Sequence, residues 1–411
     1  MKTLTTTIIL AVFISAASYA QDTVQSSSSP GSMRDIKYLI TGDAFFGFKY
    51  INDSKKGNTA TFTTMGFNPI FLYKLSDKLF FESEVEFQTS LWQEDPEKTS
   101  GNAVGEGLAV ELETADLTFA INKYMMVKAG IFFTAYGVFE DWYHQRITNR
   151  MVSRPIGIGH GGIEPGSDAG ISLRGGIPLG STKLHYAIDV LNGGKLISDD
   201  PSNNNGNLDY ESIIDNNTNK AVVVRIGFLP VSWLEFGGWF GKQKVGASKD
   251  SLNKNVGATH SGAYFSIIKD IDPIKGTVCF RSQYSMLSIG DATFKQTDTT
   301  TYIFKNNNSS AYYAQLSYRP TMLRSRFFKR LEIAARYGSI TLPDQAQGKW
   351  IMPQTTSPAK SRTQWAFTLD YWLKWNVVIK LSYEQNYPVA VNGVKPPLPP
   401  ATFLLQVAMG L

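Results

Sequence analysis

Cysteine is nearly absent. Cys279 is the only one in 411 residues, so the chain can form neither an internal disulfide nor a cysteine-based metal cluster. Histidine is scarce too. His144, His160, His185 and His260 fall at no metal-ligand spacing, and none has a serine and acid partner recognisable by motif. No G-x-S-x-G stretch occurs, so a hydrolase has no identifiable nucleophile. The expectation is a protein that is not an enzyme and carries no cofactor. Charge is sparse, at 18% of residues, and the formal net charge of +5 is spread without a basic run, which argues against nucleic acid as a partner. Beyond the N-terminal segment no apolar run reaches the roughly 18 residues of a spanning helix. Helical periodicity is hard to find anywhere in the chain.

What is there alternates. The segment starts MKTLTTTIILAVFISAASYA: Lys2, an apolar stretch Ile8–Ala17, then small residues before Ala20. This is the pattern of a secretory signal over 1–20, followed by a polar linker over 21–34. From residue 35 on, sixteen segments alternate apolar and polar residues between turn signals. The first eight are 36–52, 60–75, 78–92, 106–121, 123–134, 168–177, 182–192 and 219–229. The last eight are 232–243, 257–269, 275–290, 309–319, 329–340, 361–373, 376–387 and 401–411. In Lys78–Leu91, Glu82, Glu84 and Glu86 alternate with Phe81, Val85 and Phe87, so one face is apolar and the other is a row of carboxylates. The alternation changes phase near Glu113–Ala115, which predicts a bulge there.

Connection lengths sort by position. Those after even-numbered segments are short; those after odd-numbered segments are mostly long and polar, with 135–167 the longest. Tight turns at one end and long loops at the other describe a bacterial transmembrane barrel with its turns in the periplasm. Aromatic residues near segment ends fit the two interfacial girdles: Tyr38, Tyr50, Tyr73, Trp92, Tyr124, Trp233, Tyr264, Tyr318, Trp372 and Tyr383. A soluble β-sandwich also alternates, but its connections need not sort by length. The expected fold is therefore all-β: one transmembrane antiparallel barrel of about 16 strands over 35–411, in the outer membrane of a Gram-negative bacterium. Such a ring leaves an aqueous bore wider than its own side chains can fill.

Alternation assigns residues to that bore. Asp43, Lys49, Glu82, Glu84, Glu86, Glu111, Glu113, Asp116 and Lys128 come from the first five strands. Arg174, Arg225, Arg281, Arg319, Arg336 and Lys380 come from later ones, with His185, Asp189, Glu235, Glu332 and Glu384 among them. The acids concentrate on one wall and the arginines on the opposite one, which sets up a field across the passage. Loop 135–167 carries Glu140, Asp141, Arg146, Arg150 and Arg154, and could fold into the bore or lie over it as an outer lid. The arginines are four apart, so a short helix would align them on one face. Loop 193–218 is acidic and Asn-rich, a weak candidate for Ca²⁺ and more often a solvated loop.

The run KAGIFFTAYGVFEDWYHQRITNRMVSRPIG, followed by EPGSDAGISLRGG, resembles the phosphate-selective porin O/P family and its relatives among Bacteroidota porins. The shared pattern is a strand ending in Gly-x-Phe, Tyr136-Gly137, an Arg/Asn-rich stretch reaching Pro155, and Asp168-x-Gly170 before the next strand. The resemblance covers about 50 residues. It implies a 16-stranded, usually trimeric barrel for passive diffusion, with this loop as the constriction. Phosphate-selective members line their pores with arginines and lysines; here the early wall is rich in glutamate and the lysines are not clustered. The expected function is passive diffusion of small hydrophilic solutes, anionic ones among those considered. The alternative is a structural, adhesive or partner-associated barrel without general pore activity.

Overall fold

In the computed structural model the described residues are 37–53, 57–90, 107–159, 162–198, 206–210, 214–295, 301–343, 361–390 and 397–411. The signal and linker segments, Trp92, His160 and parts of loop 193–218 lie outside them. The first seven strands are β1 (Tyr38–Asn52), β2 (Thr59–Lys74), β3 (Leu79–Ser90), β4 (Gly107–Asn122), β5 (Met125–Phe133), β6 (Ser167–Leu179) and β7 (Thr182–Leu191). Two short strands follow, β8 (Lys195–Leu196) and β9 (Leu208–Asp209). Then come β10 (Ala221–Val231), β11 (Leu234–Lys244), β12 (Gly257–Ile271) and β13 (Gly276–Ile289), and the short pair β14 (Ala292–Lys295) and β15 (Thr301–Phe304). The last five are β16 (Asn307–Arg319), β17 (Leu331–Thr341), β18 (Arg362–Lys374), β19 (Val377–Pro388) and β20 (Ala401–Gly410). The one α-helix among the described residues, α1 (Phe139–Tyr143), lies between β5 and β6.

Sixteen of these strands, all but β8, β9, β14 and β15, close an antiparallel barrel in sequence order. The last strand returns to the first, running from Asp43 opposite Gly410 to Asn52 opposite Ala401. Closure gives every strand two neighbours, so no ladder edge faces lipid. The sixteen alternating segments coincide with the sixteen barrel strands to within a few residues. The two short hairpins sit in the long connections and form no part of the wall.

The outer face is apolar along the whole circumference: Phe62, Val110, Leu117, Ile171, Ile226, Ile333 and Leu405 are all exposed. On β18, Trp365, Phe367, Leu369 and Leu373 face out, whereas Gln364, Thr368 and Asp370 are buried. The expected bulge lies in β4. Glu84 pairs with Thr114 and Val85 with Leu112, leaving Glu113 as the extra residue. The insertion switches parity along the strand, so Glu113, Thr114 and Asp116 all turn inward while Leu112 and Leu117 stay outside.

Two of the aromatics expected at the girdles face inward instead. Tyr264 donates to Glu235 Oε1 at 3.1 Å, and Trp372 donates to Glu332 Oε2 at 2.9 Å. Each falls at the inward parity of its strand and finds a carboxylate for its polar atom, which outweighs its nearness to a strand end. The interior is also less wet than the sequence suggests. Loop 134–166 fills much of it, and Phe45, Phe132 and Trp239 are buried there. At the long-loop end, Ile156, Ile158 and Ile163 of this loop join an apolar cluster with Leu196, Leu208, Phe294, Phe304 and Ile340. The satellite hairpins β8–β9 and β14–β15 thus close that cluster from outside.

Candidate functional site

The site is built by the connection between β5 and β6. Its ends are held together by Thr134, whose N–H donates to Gly166 O at 3.1 Å. Gly137 has φ +77°, and a Cβ there would lie 2.6 Å from Gln283 Nε2 and 2.8 Å from Glu164 Oε2. Only glycine allows that turn, which swings the chain away from the wall and into the lumen. The loop is therefore inside the barrel rather than a lid over it.

Helix α1 then carries Asp141 to the basic wall. Arg174 Nη1 of β6 donates to both carboxylate oxygens of Asp141, at 3.0 and 2.9 Å. Arg225 Nη2 of β10 donates to Asp141 Oδ2 at 2.5 Å, and its Nη1 to Gly137 O at 2.5 Å. Burial by itself would raise the Asp141 carboxyl, but the Arg174 and Arg225 guanidiniums prevail and hold it well below the ordinary carboxylate range. Arg174 also makes a longer contact of 3.8 Å with Asp189, whose Oδ2 accepts from the Ala135 N–H at 2.7 Å.

After α1 the loop turns its cations toward the acidic wall. His144 Nε2 lies 3.1 Å from Glu84 Oε1, and Arg146 Nη2 lies 3.8 Å from Glu86 Oε1. The Arg146 N–H donates to Asp43 Oδ2 at 2.6 Å. Arg154 Nη1 donates to Glu140 Oε1 at 2.8 Å and feels Glu113, Glu86 and Glu111 from the wall. Glu82 is engaged by Lys128 of β5 at 3.5 Å. The expected one-faced arginine helix does not form. The helix ends at Tyr143, residues 145–154 run as turns, and the three arginines diverge. Arg150 pairs with Glu332 at 3.2 Å, while Arg146 and Arg154 reach Glu86 and Glu140. Separate carboxylates on separate walls draw them apart, which a weak helix of that composition cannot resist.

The remaining wall cations bind backbone. Lys380 Nζ donates to Arg146 O and Asn149 O, both at 2.5 Å, and to Met151 O at 3.3 Å. Arg336 reaches Ser153 O at 2.9 Å, Ser153 Oγ at 2.6 Å and Arg154 O at 3.0 Å. Arg281 donates to Thr148 O at 3.2 Å and stacks 3.8 Å over the Tyr143 ring. Arg319 stays clear of the loop: it sits near the short-turn end, 5.0 Å over the Trp372 ring, and donates to Lys329 O at 2.8 Å. No spacing in the sequence marks these carbonyl contacts, because the acceptors are backbone atoms.

One anchor lies outside every motif. Gln283 accepts from the Val138 N–H at 3.0 Å and donates through Nε2 to both oxygens of Glu164, at 2.9 and 3.0 Å. Burial pushes the Glu164 carboxyl up to about 8, against the weaker opposing pull of its donors. His144 is shifted upward too: burial disfavours its charge, but Glu84 outweighs that. Both shifts act in one direction. Between the ordinary value of 4.5 and about 8, the seated loop holds a proton on Glu164 that the released loop gives up, so seating weakens as pH rises. The change amounts to as much as about 5 kcal/mol across that window. His144 adds to it, since its bond to Glu84 is strongest below the ordinary histidine pKa and fades as pH climbs through the raised one. Loop release, read as current through the barrel in a planar bilayer, should therefore grow from pH 6 to pH 9, and Glu164→Gln should lose most of that dependence. A wild-type trace indifferent to pH would remove Glu164 from the anchoring.

Two water-accessible pockets flank Trp142 on the short-turn side of the loop. One, of about 190 Å³, is lined by Glu82, Glu84, Lys128 and His144 among others. The other, of about 390 Å³, is lined by Lys183, His185 and Glu235, with Gly175 and Gly176. Within loop 193–218, Asp215 pairs with Lys220 and accepts from the Asn217 N–H at 2.9 Å. Of the rest of its acidic stretch, Asp209 ends β9, and 199–205 and 211–213 lie outside the described residues.

No protein-family model matches the chain, and no curated protein matches it in sequence. Solved structures do match in fold. The high-pH structure of OprB from Pseudomonas putida is similar with a TM-score of 0.56 at 10% identity, over 91% of this chain and 94% of that one. OmpF of Salmonella typhi, in complex with daunomycin, gives 0.53 at 10% identity, over 91% and 97%. The outer-membrane channel DcaP of Acinetobacter baumannii gives 0.52 at 12% identity, again over 91% and 97%. At such identities the likeness is one of fold, and the fold is that of the Gram-negative outer-membrane barrels.

Proposed function

We propose that the chain is an outer-membrane porin through which small hydrophilic solutes diffuse passively, between loop 134–166 and the wall of β3 and β4. The observation that carries this reading is the seating of the loop. It crosses the lumen of a closed, lipid-faced barrel, and turns His144, Arg146 and Arg154 toward Glu84, Glu86 and Glu113. A passage bordered by fixed charges of both signs favours polar solutes over apolar ones. Kinship to the phosphate-selective porin O/P family, and with it a trimer, rests on the pattern around Tyr136-Gly137 and Asp168-x-Gly170.

The geometry supports a weak preference for cations more than selectivity for phosphate. Arg174, Arg225, Arg281, Arg336 and Lys380 are spent on Asp141 and on loop carbonyls, so few cations remain to meet an anionic solute. The carboxylates of the opposite wall outnumber the loop cations facing them. Single-channel recording of the purified protein tests the porin reading, with stable ohmic steps expected and silence fatal to it. Changing Glu82, Glu84 and Glu86 together to Gln should shift the reversal potential toward anions. Each carboxylate removed takes away about 1 kcal/mol of attraction for a cation ~4 Å away in water, so cation preference should fall severalfold. An unmoved potential would mean that ions do not pass along this row.

A further inference from the structure

Seven connections of the barrel lie at the short-turn end, and one is unlike the rest. Most hold two to four residues between strands, such as Lys123-Tyr124 and Trp375-Asn376. The connection from β16 to β17 spans 320–330 and reads PTMLRSRFFKR. Against the expectation of charge spread without a basic run, it gathers four cations within seven residues, Arg324, Arg326, Lys329 and Arg330, and no acid. All four are exposed, and none forms an ion pair among the described residues. Phe327 and Phe328 between them are 56% and 50% exposed.

The turn is held in one shape. Met322 N–H donates to Lys275 O of the neighbouring turn at 3.1 Å, Lys329 N–H to Ser325 O at 3.1 Å, and Arg319 Nε to Lys329 O at 2.8 Å. Phe327 folds back onto the outer wall, its ring 5.6 Å from that of Tyr371. The aromatics thus extend the lipid-facing surface, and the cations stand at its rim. Trp375, 84% exposed in the next turn along, lies at the same end. The end of β12 and the nearby turn to β13 carry Asp270 and Asp272 beside Lys269 and Lys275, which balance, so the positive excess belongs to 320–330 itself.

We propose that turn 320–330 is a docking site for the headgroups of anionic phospholipid in the periplasmic leaflet of the outer membrane. The inference goes beyond solute passage, and it rests on the short turns facing the periplasm. A cation held near an anionic leaflet strengthens binding about fivefold. Exposed phenylalanines would be unfavourable in bulk water and favourable at the acyl boundary just inside those headgroups. A carboxylate-bearing cell-wall polymer would match the cations but leave Phe327 and Phe328 without a partner. Because the turn is already ordered, little conformational entropy is lost on binding.

Native mass spectrometry of the full chain folded in nonionic detergent, titrated with phosphatidylglycerol or phosphatidylcholine, tests this. Phosphatidylglycerol should be retained at concentrations where phosphatidylcholine is not. The combined variant Arg324→Gln, Arg326→Gln, Lys329→Gln and Arg330→Gln should bind phosphatidylglycerol about tenfold more weakly or worse. Phe327→Ser with Phe328→Ser should weaken both lipids and leave the charge preference intact. Equal retention of the two lipids by the wild type, or undiminished phosphatidylglycerol binding by the four-fold variant, would overturn the proposal. So would displacement of phosphatidylglycerol by soluble peptidoglycan fragments, which would assign the cations to the cell wall. Conductance of the same preparations is read separately: ohmic steps with no lipid preference would sink the docking site and leave the porin.

Discussion

Replacing Asp141 with Asn should enlarge the single-channel conductance and make it noisy, while the barrel stays folded. Among the described residues, Asp141 is the carboxylate of the loop paired with both Arg174 and Arg225. Removing one partner of a buried ion cluster leaves the others uncompensated, at a cost of about 3–5 kcal/mol. Arg174 keeps Ser172 Oγ at 2.9 Å, and Arg225 keeps Gly137 O at 2.5 Å, which puts the expected cost near the lower end. That cost falls on the loop. The strand ladders do not pass through Asp141, so heat-modifiable migration on a gel should persist while the current fluctuates. Replacing the whole cluster, Asp141→Leu with Arg174→Met, Arg225→Met and Asp189→Asn, should be quieter than Asp141→Asn alone, because the buried carboxylate beside Arg174 is neutralised as well and no orphaned charge remains. A quiet Asp141→Asn channel of wild-type size would show that the loop is held elsewhere or does not set the bore.

Acidity should leave this contact alone over the ordinary range. The Asp141 carboxyl is held below its usual pKa, so its contribution is full above the ordinary value of 3.8 and is lost only in stronger acid. Glu164 and His144 behave oppositely, weakening toward alkaline pH. The loop therefore has an attachment at Asp141 indifferent to pH and two, at Glu164 and His144, that yield to it, and the two kinds can be separated by titrating Asp141→Asn and Glu164→Gln side by side.

Which parts of this arrangement could be read in the sequence follows from the physics of each. Strand alternation is strict because lipid covers the whole outer face, and a one-residue slip would put charge into hydrocarbon. This is why the segments, and even the phase change at Glu113, were legible. The inward parity of Glu82, Arg174 and Lys380 follows from the same rule. What those residues touch does not. Lys380 binds three backbone carbonyls of the loop, and nothing in the identity of Arg146, Asn149 or Met151 predicts that. The spacing of Arg146, Arg150 and Arg154 suggested a helix face, yet their partners lie on different walls, and the tertiary pairing prevails over a weak local preference. Glu164 opens the run EPGSDAGISLRGG, but its partner Gln283 lies 119 residues away and in no motif; only the folded loop brings them together.

The strongest departure from wild-type behaviour should come from removing the loop. Phe133 and Ser167 are register partners at the ends of β5 and β6, so a two-residue Asn-Gly turn can close that hairpin without moving either strand. Replacing 134–166 in this way uncovers Arg174, Arg225, Arg281, Arg336 and Lys380, which then stand in water. Their loss of partners costs little there, since a solvated cation needs no counter-charge. The apolar cluster built on Ile156, Ile158 and Ile163 goes with the loop, so thermal stability should drop even though the ladder is intact. Conductance should rise severalfold as the bore opens. Cation preference should shrink, because five freed cations then share the open bore with the six carboxylates of β3 and β4, Glu82, Glu84, Glu86, Glu111, Glu113 and Asp116, where the loop had presented only His144, Arg146 and Arg154 to them. The two effects are independent readouts. A larger current with unchanged selectivity would mean that ions already passed the basic wall in the intact protein. An unchanged current would place the narrowest point outside loop 134–166, and the proposed path between the loop and β3–β4 would fall with it.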